Sequence, residues 1–494
     1  MLWSYFNQNL PTPPPRGIRI IPCTPVDVLS ATWIITTGLI VDARLDARKL
    51  EDTLVMLIEK KFPRAGARVA LRNGLYEFHV PESFGTDMPA VRFTVEDHAG
   101  AYHSDVTRPR LPRDLYAFKP ASSPTISTLP DLSAYFQCAG PRTITEWVQS
   151  KSPLLHVHLS TFDDLTFIGV TSPHLGFDAM GTGILLQAWT DLMNGINLDD
   201  IAGMQWNAEP LKEFMPQHTL TMARPKFPKG FFDLGIFSRM WFVARLLWRE
   251  LWDPKLVQAV VRVPKVFLAD WKRQITEELK KEGSREWVSS SDILLAWFYK
   301  QTLEHSANDR KAIHLAIVSD LRTKPIFHNN AELGVEQYIG NMVLPIPVPP
   351  VPASTFRNEP LGTLALHLRR AINAFNTDLA ELRNTVHWYC ANPGGFPGPC
   401  PAEAEFRWST SWKKAGFGSL DFSGAQVQVS HSPSSQSGQA KRASVNFVYP
   451  VVNQRPSRDG VAILMEDAEF IWVLQVSGAK ELQNMRRRGN VLFV

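Results

Sequence analysis

The stretch "LTFIGVTSPHLGFDAMGTGILLQAW" (165–189) carries most of the information about the fold. Its opening, "LTFIGVT", is an apolar run typical of a buried β-strand, and "GILLQAWTDLMNG" is typical of a helix that ends near Gly195. His174 and Asp178 lie four residues apart between the two elements. A histidine at the end of a strand can serve as a general base, because its ordinary pKa lies near the working pH. A His and an Asp at this spacing also occur together by chance, so the rest of the chain must show whether His174 is catalytic.

Length and composition narrow the class of protein. A chain of 494 residues with 44% hydrophobic content is long enough for two domains. The net charge of +4 comes from scattered Lys and Arg, which argues against a nucleic-acid-binding protein. The four cysteines show no C-x-x-C pair, so neither a metal site nor a disulfide framework is expected. The opening "MLWSYFNQNLPTPPPRG" has no basic start and no long apolar core, which favours a cytoplasmic location.

Short β-rich runs alternate with helical patterns along the chain. The run "ARKLEDTLVMLIEKKF" predicts a helix capped by Asp46 with an apolar face, formed by Leu50, Leu54, Leu57 and Ile58. The second half predicts a strand in "VVRVPKVF", helices in "LADWKRQITEELKKEG" and "SSDILLAWFYKQTLEH", and a strand in "AIHLAIVSDLR". A proline-rich stretch at 206–230 predicts a linker. The chain is therefore predicted to be an α/β protein with an N-terminal lobe at 1–205 and a C-terminal lobe at 231–494.

The stretch around His174 resembles a family signature. "SPHLGFDAMGTGILLQAWTDLMNG" is similar to the signature of the BAHD family of CoA-dependent acyltransferases, in which a His-x-x-x-Asp motif runs into a glycine-containing helix with an Ala-Trp pair. Further blocks agree with the family in order: "PVDVL" (25–29), "FPRAGARV" (62–69), "WVSSSDILLAWFYK" (287–300), and "VSDLRTKP" followed by "QYIGNMV" (318–343). In "TSWKKAGFGSLDFSGA" (410–425), eight residues separate the Thr-Ser-Trp triplet from Asp421, as they separate the triplet from an Asp-Phe-Gly-Trp-Gly block in the family.

Two departures from the family pattern point to one branch of it. Ala179 stands where a glycine usually follows the motif aspartate, and residues 421–425 read Asp-Phe-Ser-Gly-Ala. Such departures resemble the fungal secondary-metabolism branch, which includes trichothecene and fumigaclavine acetyltransferases. In the family this second block lies away from the reacting centre, and the resemblance gives Asp421 a structural role.

The resemblance implies a fold and a mechanism. The implied fold is the two-lobed, chloramphenicol-acetyltransferase-like architecture, with a mixed β-sheet and flanking helices in each lobe and an active-site tunnel between the lobes. His174 is implied as the general base, and the indole N–H of Trp412 and the hydroxyl of Thr410 as donors to the oxyanion. Asp178 is implied to turn away from the tunnel and pair with Arg322, which fixes the histidine loop. Trp412 as an ordinary core residue stays an alternative.

The resemblance also implies the ligands. The expected reaction is O-acylation, most simply O-acetylation, of a hydroxyl on a hydrophobic secondary metabolite such as a terpenoid, polyketide or alkaloid, with acyl-CoA as co-substrate, no permanently bound cofactor and no metal. A monomer is expected. Ser289 and Ser290 fall where family members can contact CoA phosphate, although a helix N-cap at Ser291 or Asp292 explains this serine run better. Asn341 is expected to stabilise a turn. The rival interpretation is a retired or repurposed member that binds a hydrophobic molecule.

The segment "FFDLGIFSRMWFVARLLWRELW" (231–252) is apolar and aromatic. Its charged residues interrupt it too often for a membrane-spanning helix. Five residues of the segment share one stripe of a predicted helix, and this stripe favours a helix packed over the lobes. They are Leu234, Phe237, Trp241, Arg245 and Trp248. The alternatives are an apolar lip for a greasy substrate or a weak contact with a membrane surface, which is possible but not favoured.

Overall fold

A computed structural model describes most of the chain. The described residues are 16–116, 122–215, 224–303, 310–327, 334–395, 397–427, 442–453, 458, 460–488 and 492–493. The N-terminal stretch on which the predicted location rests, and part of the predicted linker, lie outside these residues.

Helices and strands alternate along the described residues. The helices are α1 (Pro25–Val28), α2 (Ala47–Lys60), α3 (Ile144–Ser150), α4 (Ala179–Met193), α5 (Ile236–Trp252), α6 (Lys265–Lys281), α7 (Ser290–Leu303), α8 (Ala353–Asn358), α9 (Leu361–Thr377), α10 (Leu379–Ala391) and α11 (Ala479–Arg488). The strands are β1 (Ile18–Pro22), β2 (Ile34–Val41), β3 (Arg68–Arg72), β4 (Leu75–Pro81), β5 (Arg92–Asp97), β6 (Thr125–Thr128), β7 (His156–Thr161), β8 (Thr166–Pro173), β9 (Leu256–Pro264), β10 (Ala312–Asp320), β11 (Val343–Pro352), β12 (Glu405–Ser411), β13 (Val445–Val452), β14 (Gly460–Glu466), β15 (Phe470–Gly478) and β16 (Leu492–Phe493).

Two mixed sheets form the centres of the two lobes. The first has the order β13-β2-β8-β7-β5, in which β5 and β7 are parallel and the other pairs are antiparallel. The second has the order β11-β10-β12-β14-β15-β9-β6-β16. A smaller sheet, β1-β4-β3, belongs to the N-terminal part of the chain. The predicted two-lobed fold with a mixed sheet in each lobe is confirmed.

The two lobes exchange strands. β13 comes from the C-terminal part of the chain but pairs with β2 in the first sheet, where Tyr449 lies opposite Gly38. β6 comes from the N-terminal part but pairs with β9 in the second sheet, where Ile126 lies opposite Val261. No sequence pattern predicted this exchange, and the division at 206–230 stays a prediction.

The predicted elements around the site are present. Helix α2 is capped by the Asp46 carboxylate, which accepts hydrogen bonds from two backbone N–H groups, and its buried residues are the four apolar residues predicted from the sequence. Strand β8 occupies the apolar run before His174, and nearly all of its residues are buried. Helix α4 follows, with a backbone φ of +92° at Gly195 just after its end. These two elements place the His174–Asp178 segment at a strand-to-helix junction.

The prediction that α5 packs over the lobes is wrong. Not one residue of α5 is buried. Its least exposed positions, Ser238, Phe242, Arg245, Arg249 and Glu250, include most of its charged groups, so the polar side of the helix faces the protein. Among the described residues, no helix is both long and apolar enough to cross a membrane.

Candidate active site

His174 lies in a tight turn between β8 and α4. Its backbone N–H donates to the carbonyl oxygen of Trp33 at 2.7 Å, and the N–H of Gly176 donates to the carbonyl oxygen of Pro173 at 2.9 Å. The His174 side chain is half-buried, and its ring meets the Trp33 ring edge-on at 6.4 Å between centroids. The strand end and the turn therefore hold the main chain of His174 while its imidazole keeps access to a ligand.

Asn341 fixes the tautomer of His174. The Nδ2 atom of Asn341 lies 2.8 Å from the carbonyl oxygen of His174 and 3.0 Å from that of Leu175. These acceptors identify Nδ2 as the amide nitrogen, so the Oδ1 atom of Asn341 faces the Nδ1 atom of His174 at 3.1 Å. An amide oxygen can only accept, so Nδ1 of His174 carries the proton and the lone pair lies on Nε2. Within the described residues, Nε2 has no hydrogen-bond partner.

Asp27 holds Asn341 in turn. Its fully buried carboxylate accepts hydrogen bonds from the backbone N–H of Asn341 at 3.3 Å and from its Nδ2 at 3.2 Å. The other carboxylate oxygen of Asp27 accepts from the N–H and the hydroxyl of Thr24, both at 2.8 Å, in a capping box at the start of α1. A buried carboxylate with donors on both oxygens avoids a large desolvation cost, and here those donors join the N-terminal segment to the turn that holds Asn341.

Asp178 and Arg322 form a buried, bidentate ion pair. The Nη1 and Nη2 atoms of Arg322 donate to the two carboxylate oxygens of Asp178 at 3.1 and 3.0 Å. The remaining donors of Arg322 bind Asp320 and the carbonyl oxygens of Tyr338 and Gly340. Burial alone would lower the pKa of Arg322, but the carboxylates of Asp178 and Asp320 raise it. The guanidinium is thus fully hydrogen-bonded.

Asp178 is also the N-cap of α4. Its Oδ1 accepts from the backbone N–H of Gly181 at 2.7 Å, and its Oδ2 accepts from the N–H of Met342 at 2.9 Å. The carboxylate therefore fixes the start of the helix after His174 and the turn that carries Asn341. Asp178 makes these contacts away from the imidazole, as the resemblance implied.

The glycines of α4 allow a close approach to the second lobe. A Cβ atom at Gly181 would overlap the carbonyl oxygen of Ile339, and one at Gly183 would overlap the backbone of Ala415. Both positions pack against segments that carry residues of the site, since Ile339 precedes Asn341 and Ala415 follows Trp412. The Gly-Thr-Gly pattern of the signature therefore reflects helix-to-backbone contact.

Arg64 joins two other blocks of the signature. Its guanidinium lies over the rings of Phe78 and Tyr338 at 4.7 and 5.3 Å, and donates to the carbonyl oxygen of Ala208 at 3.0 Å. Arg64 belongs to "FPRAGARV" and Tyr338 to "QYIGNMV". Blocks that are far apart in the sequence thus meet behind the His174 turn.

Trp412 and Thr410 lie at the end of β12. The backbone N–H of Trp412 donates to the carbonyl oxygen of Ile463 at 2.7 Å, and its half-buried ring packs edge-on against Phe417. Within the described part of the chain, the indole N–H of Trp412 makes no hydrogen bond, and neither Trp412 nor Thr410 shares a hydrogen bond or a ring contact with His174. A free indole N–H on a half-buried ring is available to a ligand.

Asp421 and Ser289 have structural contacts. Burial would raise the pKa of Asp421, but hydrogen bonds from Ser423 and from Arg442 lower it, and its backbone pairs with Ser444. Ser289 exchanges hydrogen bonds with Asp292, which identifies Ser289 as the cap of α7 in place of the predicted Ser291 or Asp292. Its hydroxyl also accepts from Arg369.

Comparisons with known proteins agree with this architecture. Acetyltransferase adrJ of Penicillium rubens is 27% identical over 454 residues, which cover 89% of this chain and 88% of adrJ. O-acyltransferase ausP of Penicillium brasilianum is 30% identical over 280 residues, or 53% of this chain and 54% of ausP. A crystal structure of F. sporotrichioides TRI101 complexed with coenzyme A and T-2 has a TM-score of 0.62 at 14% identity and covers 95% of this chain and 97% of TRI101. No protein-family model matches the sequence.

The match to adrJ covers 89% of this chain, and the names of adrJ and ausP both describe acyl transfer. The chain is an acyltransferase that resembles the BAHD family. Its predicted resemblance to the fungal secondary-metabolism branch is confirmed.

Two residues hold the site of this acyltransferase together although the sequence alone did not indicate that role. Asn341 was expected only to stabilise a turn, and Asp27 was given no role. The signals were present in the Thr-x-x-Asp capping box at 24–27 and in the Gly-Asn pair at 340–341. Neither signal shows that the two segments meet, because their contact spans 314 residues of sequence.

Proposed function

We propose that this chain transfers an acyl group, most simply acetyl, from acyl-CoA to a hydroxyl of a hydrophobic secondary metabolite such as a terpenoid, polyketide or alkaloid. The observation that carries the proposal is the His174 imidazole, whose Nδ1 is held by Asn341 while Nε2 is open. The names of the relatives support acetyl or acyl transfer, and the TRI101 structure, which is complexed with coenzyme A and T-2, supports CoA as the co-substrate.

Nε2 of His174 takes the proton of the acceptor hydroxyl in the first step. The hydroxyl oxygen attacks the thioester carbonyl carbon of acyl-CoA and forms a tetrahedral oxyanion. The oxyanion collapses to the ester and expels the CoA thiolate, which takes the proton back from the imidazolium. Both substrates are bound at once, and no side chain carries the acyl group. Asn341 can accept from Nδ1 throughout this cycle, since Nδ1 keeps its proton in the neutral ring and in the imidazolium.

We assign oxyanion stabilisation to Trp412 and Thr410. The indole N–H of Trp412 has no partner among the described residues, so it can donate to the oxyanion without breaking a bond within the protein. A preorganised donor of this kind contributes about 3 kcal/mol to the transition state. The proposed site is a tunnel between the lobes that the His174 imidazole faces.

The remaining assignments concern CoA and the assembly. Ser290 and Ser289 are proposed to lie near the CoA phosphates, with Ser290 the better candidate because Ser289 already bonds Asp292 and Arg369. The enzyme is proposed to act as a monomer, with an N-terminal lobe at 1–205 and a C-terminal lobe at 231–494. No permanently bound cofactor enters the proposed cycle.

Replacement of the base tests this proposal. His174→Ala should lower kcat by roughly a hundredfold to ten-thousandfold, the usual range for one acid–base group. The affinity for acetyl-CoA should change little, because the imidazole acts mainly in the transition state. The measurements are product formation by mass spectrometry with acetyl-CoA and hydroxylated terpenoids, and calorimetric binding of acetyl-CoA.

A matched control uses His103, an exposed histidine whose ring bonds Asp164. His103→Ala should leave both the rate and the binding unchanged. Transfer by His174→Ala at the wild-type rate, or an acyl group trapped on the protein, would contradict the mechanism. A wild-type chain that binds acetyl-CoA but acylates none of the offered alcohols would favour the retired or repurposed alternative.

A further inference from the structure

Helix α5 presents its apolar side to solvent. Phe237, Leu251 and Ile236 are 82%, 76% and 71% exposed. The other large apolar residues exposed on α5 are Met240, Trp241, Val243, Leu246, Leu247, Trp248 and Trp252. A continuous patch of this size is unusual on a soluble protein, and marks a surface that binds something.

The polar side of α5 faces the protein. At 100° per residue, Ser238, Phe242, Arg245 and Arg249 lie on one narrow side of the helix, and all four are half-buried. Glu250 joins α5 to the protein through an ion pair with Arg458 at 3.0 Å. An ordinary surface helix has the opposite arrangement, with its apolar side inward.

Both ends of α5 are attached to the body. Just before the helix, the backbone of Phe232 exchanges two hydrogen bonds with Gly398, at 2.9 and 2.8 Å. Just after it, the buried Asp253 accepts from the backbone N–H of Lys480 at 3.2 Å. The outward apolar side is therefore part of the folded structure and not a frayed segment.

Exposed cations lie beside the apolar side. Arg239, Lys255 and Lys480 are exposed, and the Lys480 ammonium lies 4.9 Å from the centre of the Trp252 ring. Among the arginines of α5, Arg239 is the exposed one, and Glu250 is already paired with Arg458. Asp233 is an exposed acid just before the helix. The balance of charge around the patch is positive.

We propose that α5 docks on an anionic phospholipid surface, with its axis in the plane of the interface. Three features favour lipid over a protein partner. First, the patch is the convex side of one helix and occupies more than half of its circumference. Second, it contains three tryptophans, a residue type that suits the boundary between headgroups and acyl chains. Third, it is bordered by cations that complement anionic headgroups. This docking does not depend on the proposed acyl transfer.

Vesicle binding by the full chain tests the docking. The probes are vesicles of phosphatidylcholine alone and vesicles in which part of it is replaced by phosphatidylserine. The wild-type chain should sediment with the phosphatidylserine vesicles and bind the neutral ones more weakly. The triple variant Phe237→Ser, Trp248→Ser, Leu251→Ser should bind about a hundredfold more weakly, because three large apolar side chains no longer enter the interface.

Two further variants sharpen the result. Arg239→Gln with Lys255→Gln should weaken binding to phosphatidylserine vesicles about tenfold and reduce its dependence on salt. The matched control replaces three exposed apolar residues of the first lobe, Leu71→Ser, Val95→Ser and Val106→Ser, and should bind vesicles as the wild type does. All of these residues are exposed, so the variants should fold, as circular dichroism can confirm.

Three outcomes would overturn the proposal. The first is a wild-type chain that stays in the supernatant with both kinds of vesicle. The second is equal lipid binding by the wild type and the α5 triple variant. The third is a dimer in light scattering that the triple variant converts to a monomer without any vesicle binding, which would make a second copy of this chain the occupant of the patch.

Discussion

At the scale of single residues, Asn341 determines which nitrogen of His174 carries the proton. A free imidazole exchanges its proton between two nitrogens, and only the tautomer with a lone pair on Nε2 fits the proposed base. The contact of Asn341 Oδ1 with Nδ1 selects that tautomer, and Asp27 holds Asn341 in place. Asn341 is thus a positioning residue for the proposed reaction.

Replacing Asn341 should separate its positioning role from substrate binding. Asn341→Ala removes one hydrogen bond to the ring, worth about 1 kcal/mol, so kcat should fall roughly fivefold while KM stays near its wild-type value. Steady-state kinetics below the melting temperature measure both constants. The exposed Asn373 on α9 offers the control, since Asn373→Ala should change neither constant. A rise in KM with an unchanged kcat would assign Asn341 to substrate binding instead.

The Asp178–Arg322 pair acts through stability as well as geometry. Both side chains are almost fully buried, and each also bonds a backbone group, since Asp178 accepts from the N–H of Gly181 and Arg322 donates to the carbonyl oxygen of Gly340. Removal of one partner leaves an uncompensated charge in a low dielectric, which costs more than the intact pair contributes. Loss of the carboxylate would also free the start of α4 and the turn before Met342.

A double-mutant cycle measures this coupling. Asp178→Asn should lower the free energy of unfolding by roughly 3–5 kcal/mol, because Arg322 stays buried without its partner. Arg322→Gln together with Asp178→Asn should lose less than the sum of the two single changes, with a coupling on the order of 1–3 kcal/mol. Urea unfolding provides the values. Glu286→Gln breaks an exposed pair with Arg370 and should cost far less. Strict additivity at 178 and 322 would exclude the coupling.

At the scale of elements, the sequence predicted the local structure where one residue pattern determined it. The apolar run before His174 became β8, and the four periodic residues of α2 became its buried side. Periodicity and caps are local signals, and they needed no knowledge of the rest of the fold. The same holds for the helix α4 and its end before Gly195.

Helix α5 shows what local sequence signals cannot predict, which is the direction in which a helix side faces. Its apolar side was visible in the sequence, but periodicity cannot say whether that side faces the core or the solvent. The stripe predicted to pack over the lobes joined Arg245 to Trp241 and Trp248, yet Arg245 is among the less exposed residues of α5 and both tryptophans are exposed. The direction of a helix face is a property of tertiary contacts, so it could not be read from the segment alone.

The residues of the site likewise fall into those that the sequence could place and those whose contacts it could not predict. His174, Asp178 and Arg322 could be placed from the resemblance, and the structure brings the last two together. The Asn341–Asp27 contact could not be predicted, because it joins segments 314 residues apart and both residues suit ordinary turns and caps. The capping of α7 by Ser289 in place of Ser291 or Asp292 is an error of two or three residues, which is typical for helix ends.

At the scale of the whole molecule, the exchange of strands makes each lobe depend on the other part of the chain. The first sheet places β13 beside β2, and β2 residues such as Leu39 and Ile40 are fully buried there. The second sheet needs β6 beside β9. A cut in the predicted linker would therefore leave an unpaired strand edge and exposed apolar surface in both pieces. Neither sequence periodicity nor composition indicated this dependence.

The exchange predicts that the two lobes fold only together. Segment 1–205 alone should aggregate or lack a cooperative thermal transition, because it lacks the strand that covers the edge of β2. Segment 231–494 alone should give the same result, because it lacks β6. Fusion of residues 442–453 to the end of 1–205 through a flexible Gly-Ser linker should restore part of the fold, since it returns β13 to the same sheet. The matched control fuses a scrambled version of that peptide, which should restore nothing. Circular dichroism melting and hydrogen exchange provide the measurements. A cooperative transition in 1–205 alone would show that the first lobe folds independently and that β13 adds only to its edge.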